Sequence, residues 1–114
     1  MQGIHWREVC GVDDIQVEDM RELEIAGSLY LVYRTPSGFY ASSGLCTHEG
    51  VRLADGLILG ELIECPRHQG RFHIPTGQAK RVPARKSLAT FPTKVEAGRV
   101  YIGLPSMEQR SPTQ

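Results

Sequence analysis

Two short segments of this chain each place one cysteine close to one histidine, a combination that suits a shared metal centre. They are Cys46-Thr47-His48 and Cys65-Pro66-Arg67-His68, so the pattern is C-x-H followed by C-x-x-H. Two thiolates and two imidazoles in two matched halves suit a binuclear iron–sulfur centre with inequivalent irons. We therefore expect Cys46 and Cys65 to bind one iron and His48 and His68 to bind the other, with two inorganic sulfides between them.

The mixed ligand set has a direct electronic consequence. A neutral imidazole carries less negative charge than a thiolate, so two imidazoles raise the reduction potential far above that of an all-cysteine cluster. Gly44 and Gly50 lie beside the first segment, and Gly70 follows the second. Glycines let the backbone approach the sulfur atoms and donate N–H hydrogen bonds, which stabilise the reduced state.

A mononuclear zinc site is the alternative, because zinc also binds two cysteines and two histidines. Structural zinc fingers usually place cysteine near cysteine and histidine near histidine, often around a helix. Here each pair is mixed, and the spacing from Cys46 to His48 is tighter than the common finger spacing. The pattern therefore favours an iron–sulfur cluster over zinc, and a visible spectrum separates the two.

The elements that must position these ligands are short strands separated by turn residues, which indicates an all-β sandwich or barrel. Both ligand segments fall where a strand gives way to a turn, so two loops at one end of a sheet can converge on one cluster. A single helical turn is expected over 12–15, and the polar residues from 105 onward are expected to fray. The predicted strands are 4–9, 21–26, 28–34, 39–42, 57–59, 61–64, 71–74, 94–96 and 99–103.

Size and composition set the class of protein. With 114 residues, 40% of them hydrophobic, the chain is expected to form one domain with a modest core. It has no apolar run long enough to span a membrane, and its polar start does not resemble a signal peptide. Two of its three cysteines are predicted ligands. Cys10 is therefore expected to be a small buried hydrophobe with no disulfide partner, as in a reducing cytoplasm.

The net charge is zero, but the charges are unevenly distributed along the chain. Residues 1–64 carry eleven acids against four arginines, whereas residues 65–114 carry nine bases against two acids. Two interpretations stay open: a polarised surface that orients partners, or two parts that interleave in the fold and cancel. The basic residues between 80 and 86 lack interleaved aromatic residues, so they do not indicate a nucleic-acid partner.

Other candidate functional residues are weaker. His5 lies in a predicted strand, and His73 has no partner at a ligand spacing, so both are expected to be ordinary surface or half-buried residues. Asp13-Asp14 is expected to cap a turn. The sequence shows no nucleophile–base pair, phosphate loop or second iron-binding triad of two histidines and a carboxylate, so we do not expect an enzyme.

The two ligand segments closely resemble the cluster-binding motifs of the Rieske family. Residues 44–48 and 65–72 look like its two motifs, and residues 72–77 look like its F-x-x-x-T-G continuation. Pro83 and Phe91-Pro92 resemble a later proline-bearing segment that lies close to the cluster in this family. The similarity covers nearly the whole chain and is most specific over 44–77.

This resemblance implies an all-β fold: a Rieske-type antiparallel β-sandwich with a small inserted cluster-binding subdomain. It places that subdomain at about 44–75 within a single domain over 1–104, followed by a flexible tail over 105–114. It also implies one [2Fe–2S] cluster per chain, bound by Cys46, His48, Cys65 and His68.

The length of the chain matches the free-standing ferredoxins of multicomponent aromatic-ring dioxygenases. The resemblance therefore implies a soluble cytoplasmic one-electron carrier that passes electrons from a flavin-dependent ferredoxin reductase to a terminal Rieske oxygenase. We expect a monomer that has neither a nucleic-acid partner nor a membrane partner. The partners are expected to dock over the His48 and His68 tip and its neighbouring loops, where Arg67 is either a charged contact or a solvated loop residue.

Departures from the family pattern indicate a low reduction potential. Respiratory Rieske proteins bridge two extra cysteines beneath the cluster, and the corresponding residues here look like Val51 and Arg67. Those proteins also place serine and tyrosine hydroxyls near the sulfurs, where this chain has Gly70 and Phe72. Fewer hydrogen bonds to sulfur stabilise the reduced cluster less, so the potential is expected to be roughly −150 mV.

Two other functions remain as alternatives. One is a Rieske domain or small subunit of another oxidoreductase, and the other is a zinc-binding interaction module. The absence of a mononuclear-iron triad counts against an oxygenase, and the presence of all four ligand residues counts against a subunit that has lost its cluster.

Overall fold

The computed structural model describes residues 3–47, 50–67, 69–82, 84 and 86–105. These residues form eleven strands and two single-turn 3-10 helices, Val12–Asp14 and Leu53–Asp55, so the all-β prediction is confirmed. In chain order the strands are β1 Ile4–Gly11, β2 Asp19–Ile25, β3 Ser28–Thr35, β4 Gly38–Ser43, β5 Leu57–Leu59, β6 Leu62–Glu64, β7 Arg71–His73, β8 Ala79–Arg81, β9 Thr90–Phe91, β10 Thr93–Glu96 and β11 Arg99–Pro105.

The strands make three antiparallel sheets. The first has the order β1-β11-β10, the second β2-β3-β4-β9 and the third β5-β6-β7-β8. Strands β4 and β9 pair directly, although the whole third sheet lies between them in the sequence. The third sheet is therefore an insertion between two neighbouring strands of the second sheet, as the family resemblance implied.

Two hairpins depend on the same Ala-Gly turn. Ala26 and Gly27 join β2 to β3, with φ values of 52° and 84°. Ala97 and Gly98 join β10 to β11, with φ values of 51° and 76°. Two successive residues with positive φ form the tight turn whose twist matches that of antiparallel strands. The strands that these hairpins join, predicted at 21–26 with 28–34 and at 94–96 with 99–103, are confirmed.

Strand β3 separates two apolar cores. Its Leu31 and Tyr33 point to one side and its Tyr30 and Val32 to the other, because successive side chains of a strand alternate between faces. The first side chains belong to the Cys46 core: Leu31, Tyr33, Cys46, Leu53, Ile58, Ile63, Cys65, Phe72, Ile74, Ala84 and Leu88. The second belong to the Cys10 core: Cys10, Ile15, Ile25, Tyr30, Val32, Ala41, Val100, Ile102 and Leu104.

The sequence reading missed β8 and β9. Ala79–Arg81 consists of one small residue and two cations, and Thr90–Phe91 is only two residues long, so neither shows the alternation that marks a strand. The third sheet continues to Arg81, beyond the expected end of the inserted region near residue 75, and the subdomain boundaries stay a prediction. Pro105 is the last residue of β11, and the rest of the predicted tail lies outside the described residues.

Several smaller predictions can be placed. Cys10 is buried, with 3% of its surface exposed, and burial raises the pKa of its thiol. Asp14 accepts a hydrogen bond from the Gly11 N–H at 2.9 Å and so caps the first 3-10 turn. Within the described part of the chain, no helix has the length and apolar character needed to cross a membrane.

Candidate metal centre

The first ligand loop is closed by backbone hydrogen bonds. Leu45 and Arg52 form an isolated antiparallel bridge at its base. Above this bridge the Cys46 N–H donates to the Val51 carbonyl at 2.9 Å, and the Gly50 N–H donates to the Cys46 carbonyl at 2.8 Å. Gly50 has a φ of 70°, a conformation that favours glycine, which explains the glycine at the end of the loop. His48 and Glu49 lie outside the described residues.

The second ligand loop follows β6 and has a similar closure. The Cys65 N–H donates to the Gly70 carbonyl at 2.7 Å, so the loop begins and ends at one backbone hydrogen bond. Within it, the Arg67 N–H donates to the Cys65 Sγ at 3.5 Å. An N–H bond to a thiolate stabilises negative charge on sulfur, as expected for a cluster ligand. His68 lies outside the described residues.

The two cysteines lie in the same apolar environment. Cys46 is 2% exposed and Cys65 is 1% exposed, and both belong to the Cys46 core beside the fully buried Phe72. Neither thiol is joined in a disulfide. Two buried cysteines outside any disulfide fit a cluster that takes two thiolate ligands.

A third segment packs against both ligand loops. The Thr47 hydroxyl, from the residue after Cys46, donates to the Lys86 carbonyl at 2.6 Å. Ala84 packs so closely on Gly70 that a Cβ at Gly70 would lie 3.0 Å from the Ala84 Cβ. The Ala84 N–H in turn donates to the Arg81 carbonyl at 3.0 Å. Residues 81–86 therefore connect the two loops, although Pro83 and Arg85 are outside the described residues.

Three carboxylates join the inserted part to the second sheet. Glu22 on β2 accepts two hydrogen bonds from the Arg52 guanidinium, at 2.6 and 3.0 Å. Glu18 accepts the Gly60 N–H at 3.0 Å, and Glu61 accepts the N–H and hydroxyl of Ser37 at 3.1 and 3.0 Å. These contacts orient the third sheet, and with it the second ligand loop.

Hydrogen bonds lower the pKa values of two of these carboxyl groups, those of Glu22 and Glu61. The hydrogen bond from Arg52 lowers the pKa of Glu22. Hydrogen bonds from Thr35 and Ser37 lower the pKa of Glu61. Both carboxylates are therefore held in the ionised form that accepts these hydrogen bonds.

The described donor set fits a two-thiolate, two-imidazole cluster. Cys46 and Cys65 lie buried in one core, each at the start of a loop that leads to a predicted histidine ligand. Among the described residues, no group of three or more His, Cys, Asp or Glu side chains could bind a metal ion. Of the four predicted ligands, the described residues include Cys46 and Cys65 but not His48 and His68. The assignment of His48 and His68 stays a prediction.

The weaker histidine candidates lie elsewhere. His5 is exposed on β1, and the Nδ1 of His73 forms a hydrogen bond with the Thr76 hydroxyl at 2.8 Å. The sequence reading missed the roles of Thr47 and Ala84 in connecting the loops. The position of Thr47 between two predicted ligands was a signal, whereas nothing in the sequence indicated that Ala84 packs against Gly70.

Comparisons with known proteins support the same identification. The family model for the Rieske [2Fe-2S] domain matches residues 5–92. The ferredoxin component of a naphthalene 1,2-dioxygenase system from Pseudomonas putida is 38% identical over 101 residues, which cover 89% of this chain and 97% of that protein.

Solved structures agree in fold. A ferredoxin of Sphingomonas yanoikuyae B1 superposes with a TM-score of 0.82 at 31% identity, covering 89% of this chain and all of that one. A chain from a complex of reduced oxygenase and oxidized ferredoxin in carbazole 1,9a-dioxygenase gives a TM-score of 0.82 at 36% identity, covering 85% and 91% of the two chains. This chain therefore belongs to the Rieske [2Fe-2S] domain family, and its cofactor is one Rieske cluster.

Proposed function

We propose that this protein is the ferredoxin component of a multicomponent oxygenase system. It carries one electron at a time from a flavin-dependent ferredoxin reductase to a terminal Rieske oxygenase, and it is not itself an enzyme. Cys46, His48, Cys65 and His68 bind the cluster. The protein acts as a monomer in the cytoplasm, in a single domain whose cluster-binding region begins near residue 44.

The relatives support a carrier rather than a catalytic subunit. The naphthalene dioxygenase ferredoxin component is matched over nearly its whole length, as is the Sphingomonas ferredoxin. These two matches are therefore to whole ferredoxins of similar length to this chain. The carbazole dioxygenase relative forms a complex with an oxygenase, which supports a terminal oxygenase as the electron acceptor here.

The observation that carries the proposal is the pair of buried thiols in two loops that a third segment connects. The hydrogen bond from Thr47 and the contact of Ala84 with Gly70 hold the loops together. The Arg67 N–H stabilises negative charge on the Cys65 sulfur. When bound, the cluster supplies a one-electron redox centre. The residues around it exclude water from the thiolates and keep the loops in one arrangement, which limits the reorganisation that electron transfer requires.

The first experiment identifies the metal. Purified protein is analysed for iron, acid-labile sulfide and zinc, and its visible and electron paramagnetic resonance spectra are recorded after reduction with dithionite. We expect two irons and two sulfides per chain, a red-brown colour, and a paramagnetic signal only in the reduced protein. Stoichiometric zinc without iron would contradict the proposal.

The second experiment tests the role. NADH, a flavin reductase and a terminal Rieske oxygenase of a naphthalene-type system are combined with and without this protein. We expect product formation to depend on the ferredoxin and to saturate with its concentration. Aromatic product formed by this protein without an oxygenase would show that it is an enzyme, and an iron-loaded protein that neither accepts nor donates electrons in this system would overturn the proposed role.

A further inference from the structure

The segment that connects the two ligand loops carries an unusual concentration of positive charge. Residues 65–95 contain no aspartate or glutamate at all. Within this stretch Lys80, Arg81 and Lys86 are all exposed. We call these three residues the basic rim.

The basic rim is placed beside the cluster by backbone contacts. The backbone carbonyl of Lys86 accepts a hydrogen bond from the hydroxyl of Thr47, which lies in the first ligand loop. The backbone carbonyl of Arg81 accepts a hydrogen bond from the N–H of Ala84, which packs on Gly70 at the end of the second ligand loop. Lys80 precedes Arg81 in β8. All three cations therefore lie within or next to the segment that contacts both loops.

The ion pairs between described residues do not involve the basic rim. Glu8 pairs with Arg99 and Glu64 with Arg71, so the acidic and basic parts of the sequence interleave and cancel at these places. Among the described residues, no carboxylate forms a salt bridge with Lys80, Arg81 or Lys86. The chain has no net charge, so this local excess of cations contributes a positive field beside the ligand loops.

Exposed apolar side chains lie in the same segments. Val82 follows Arg81 and is 66% exposed, and Leu45, which precedes Cys46, is 43% exposed. Apolar side chains beside charges suit a small transient interface, in which apolar contacts exclude water and the charges steer the approach.

We propose that the basic rim is the docking surface for the acidic face of a redox partner protein, one that presents carboxylates around its own cofactor. This inference rests on the proposed function, because it assumes that the protein exchanges electrons with other proteins. It adds the sign of the charge that those partners must present and the residues that recognise it.

The first test measures the local field without any protein partner. The reduced protein is oxidised in a stopped-flow instrument by ferricyanide, an anion, and separately by hexaamminecobalt(III), a cation. In each reaction one electron leaves the protein and reduces one metal complex. We expect the ferricyanide rate to fall with ionic strength and the hexaamminecobalt rate to rise, because salt screens attraction in one case and repulsion in the other.

Matched variants locate the charge. Arg81→Glu is compared with Arg7→Glu, which makes the same charge change at an exposed position on β1 in another sheet. We expect Arg81→Glu to lower the ferricyanide rate roughly tenfold at low ionic strength and Arg7→Glu to change it less than twofold. Lys86→Gln serves as a second variant, because it keeps the carbonyl that Thr47 contacts. Equal effects of Arg81→Glu and Arg7→Glu, or salt slopes of the same sign for both oxidants, would overturn the inference.

The second test measures binding. The affinity of the oxidised protein for the terminal oxygenase is determined by titration calorimetry at several salt concentrations. We expect Arg81→Glu to weaken binding about tenfold and to flatten the salt dependence, while Arg7→Glu matches the wild type. If the wild-type protein binds and reduces the oxygenase but Arg81→Glu does so equally well, the basic rim is not the docking surface. If neither protein exchanges electrons with the oxygenase or the reductase, the proposed function itself is wrong.

Discussion

The two cores of this protein are built in different ways. In the Cys10 core every buried residue except Ile15 lies on β1, β2, β3, β4 or β11, which have six to eight residues each. Hydrogen bonds between these strands therefore hold the backbone of the core residues. In the Cys46 core, Leu31 and Tyr33 lie on the long strand β3, whereas the other contributing strands, β5, β6 and β7, have three residues each. Several of its buried residues lie in no strand at all: Cys46, Leu53, Cys65, Ile74, Ala84 and Leu88.

This difference shows where the cluster matters for stability. A core on long strands is held by its own sheet, whereas loop residues lose more conformational entropy for each ladder bond they gain. The Cys46 core compensates with individual contacts, such as the Thr47 hydrogen bond, and, in the proposed assignment, with metal–thiolate bonds from Cys46 and Cys65. We therefore expect the inserted part to depend on the cluster and the rest of the protein to depend on it much less.

The largest expected effect comes from removing a ligand thiol. Cys46→Ala should abolish cluster binding and destabilise the inserted part, because it removes a proposed iron ligand from a core that has few strand hydrogen bonds. Cys10→Ala is the matched control, since it removes an equally buried thiol from the other core. It should retain full iron content and cost about 1 kcal/mol of stability. Iron analysis and thermal unfolding check both variants.

Hydrogen exchange sharpens the same comparison. After the cluster is removed with a chelator under reducing conditions, amides of β5–β8 should lose protection while those of β1, β3 and β11 keep it. Uniform loss of protection in both regions would show that the two cores do not differ in their dependence on the cluster.

A smaller effect is expected from adding a side chain at Gly70, where the second ligand loop contacts Ala84. Gly70→Ser would place a Cβ 3.0 Å from the Ala84 Cβ and 3.1 Å from the Ala84 nitrogen, so the segment must shift. The expected loss of stability is about 1–3 kcal/mol, measured by chemical denaturation. Gly3→Ser is the control, because no atom lies within 4 Å of its added Cβ. Equal stability of the two variants would show that the contact is not tight.

Removing a single hydrogen bond should have a smaller effect still. Thr47→Val deletes the hydrogen bond to the Lys86 carbonyl, and Thr93→Val deletes a similar one to the Phe39 carbonyl, at 2.8 Å, away from the ligand loops. Each should cost about 1 kcal/mol. Only Thr47→Val should speed the loss of iron to a chelator, because Thr47, unlike Thr93, connects a ligand loop to Lys86. Equal rates of iron loss in the two variants would contradict this role.

The smallest effect is the contribution of the junction carboxylates to pH stability. The pKa of Glu22 is lowered in the folded protein by the hydrogen bond from Arg52, and the contact is partly solvated. Its stabilisation is therefore complete above the ordinary carboxyl value of 4.5 and is lost as the pH falls through the lower folded value. Glu22→Gln should flatten the fall in melting temperature below pH 4.5. Glu24→Gln, on the same strand, is the control and should leave the slope unchanged.

Much of the fold followed from local patterns. The strands of both Ala-Gly hairpins were predicted and are confirmed, because strand periodicity and tight turns depend on neighbouring residues only. Strand β8 was missed because Ala79–Arg81 has no apolar alternation, although it pairs with the preceding strand β7. The face of β3 that packs against each core depends on partners that are distant in the sequence.

Some features of the candidate site also follow from the sequence alone, whereas others depend on the tertiary structure. The residue types and spacing of Cys46, His48, Cys65 and His68 determined the kind of cofactor, since coordination chemistry depends on the ligand set. Only the tertiary structure decided that Ala84 packs against Gly70, that Thr47 binds the Lys86 carbonyl, and that Lys80, Arg81 and Lys86 lie beside the ligand loops. These contacts join residues far apart in the chain, and the free energy that forms them comes from packing of the whole molecule rather than from any local preference.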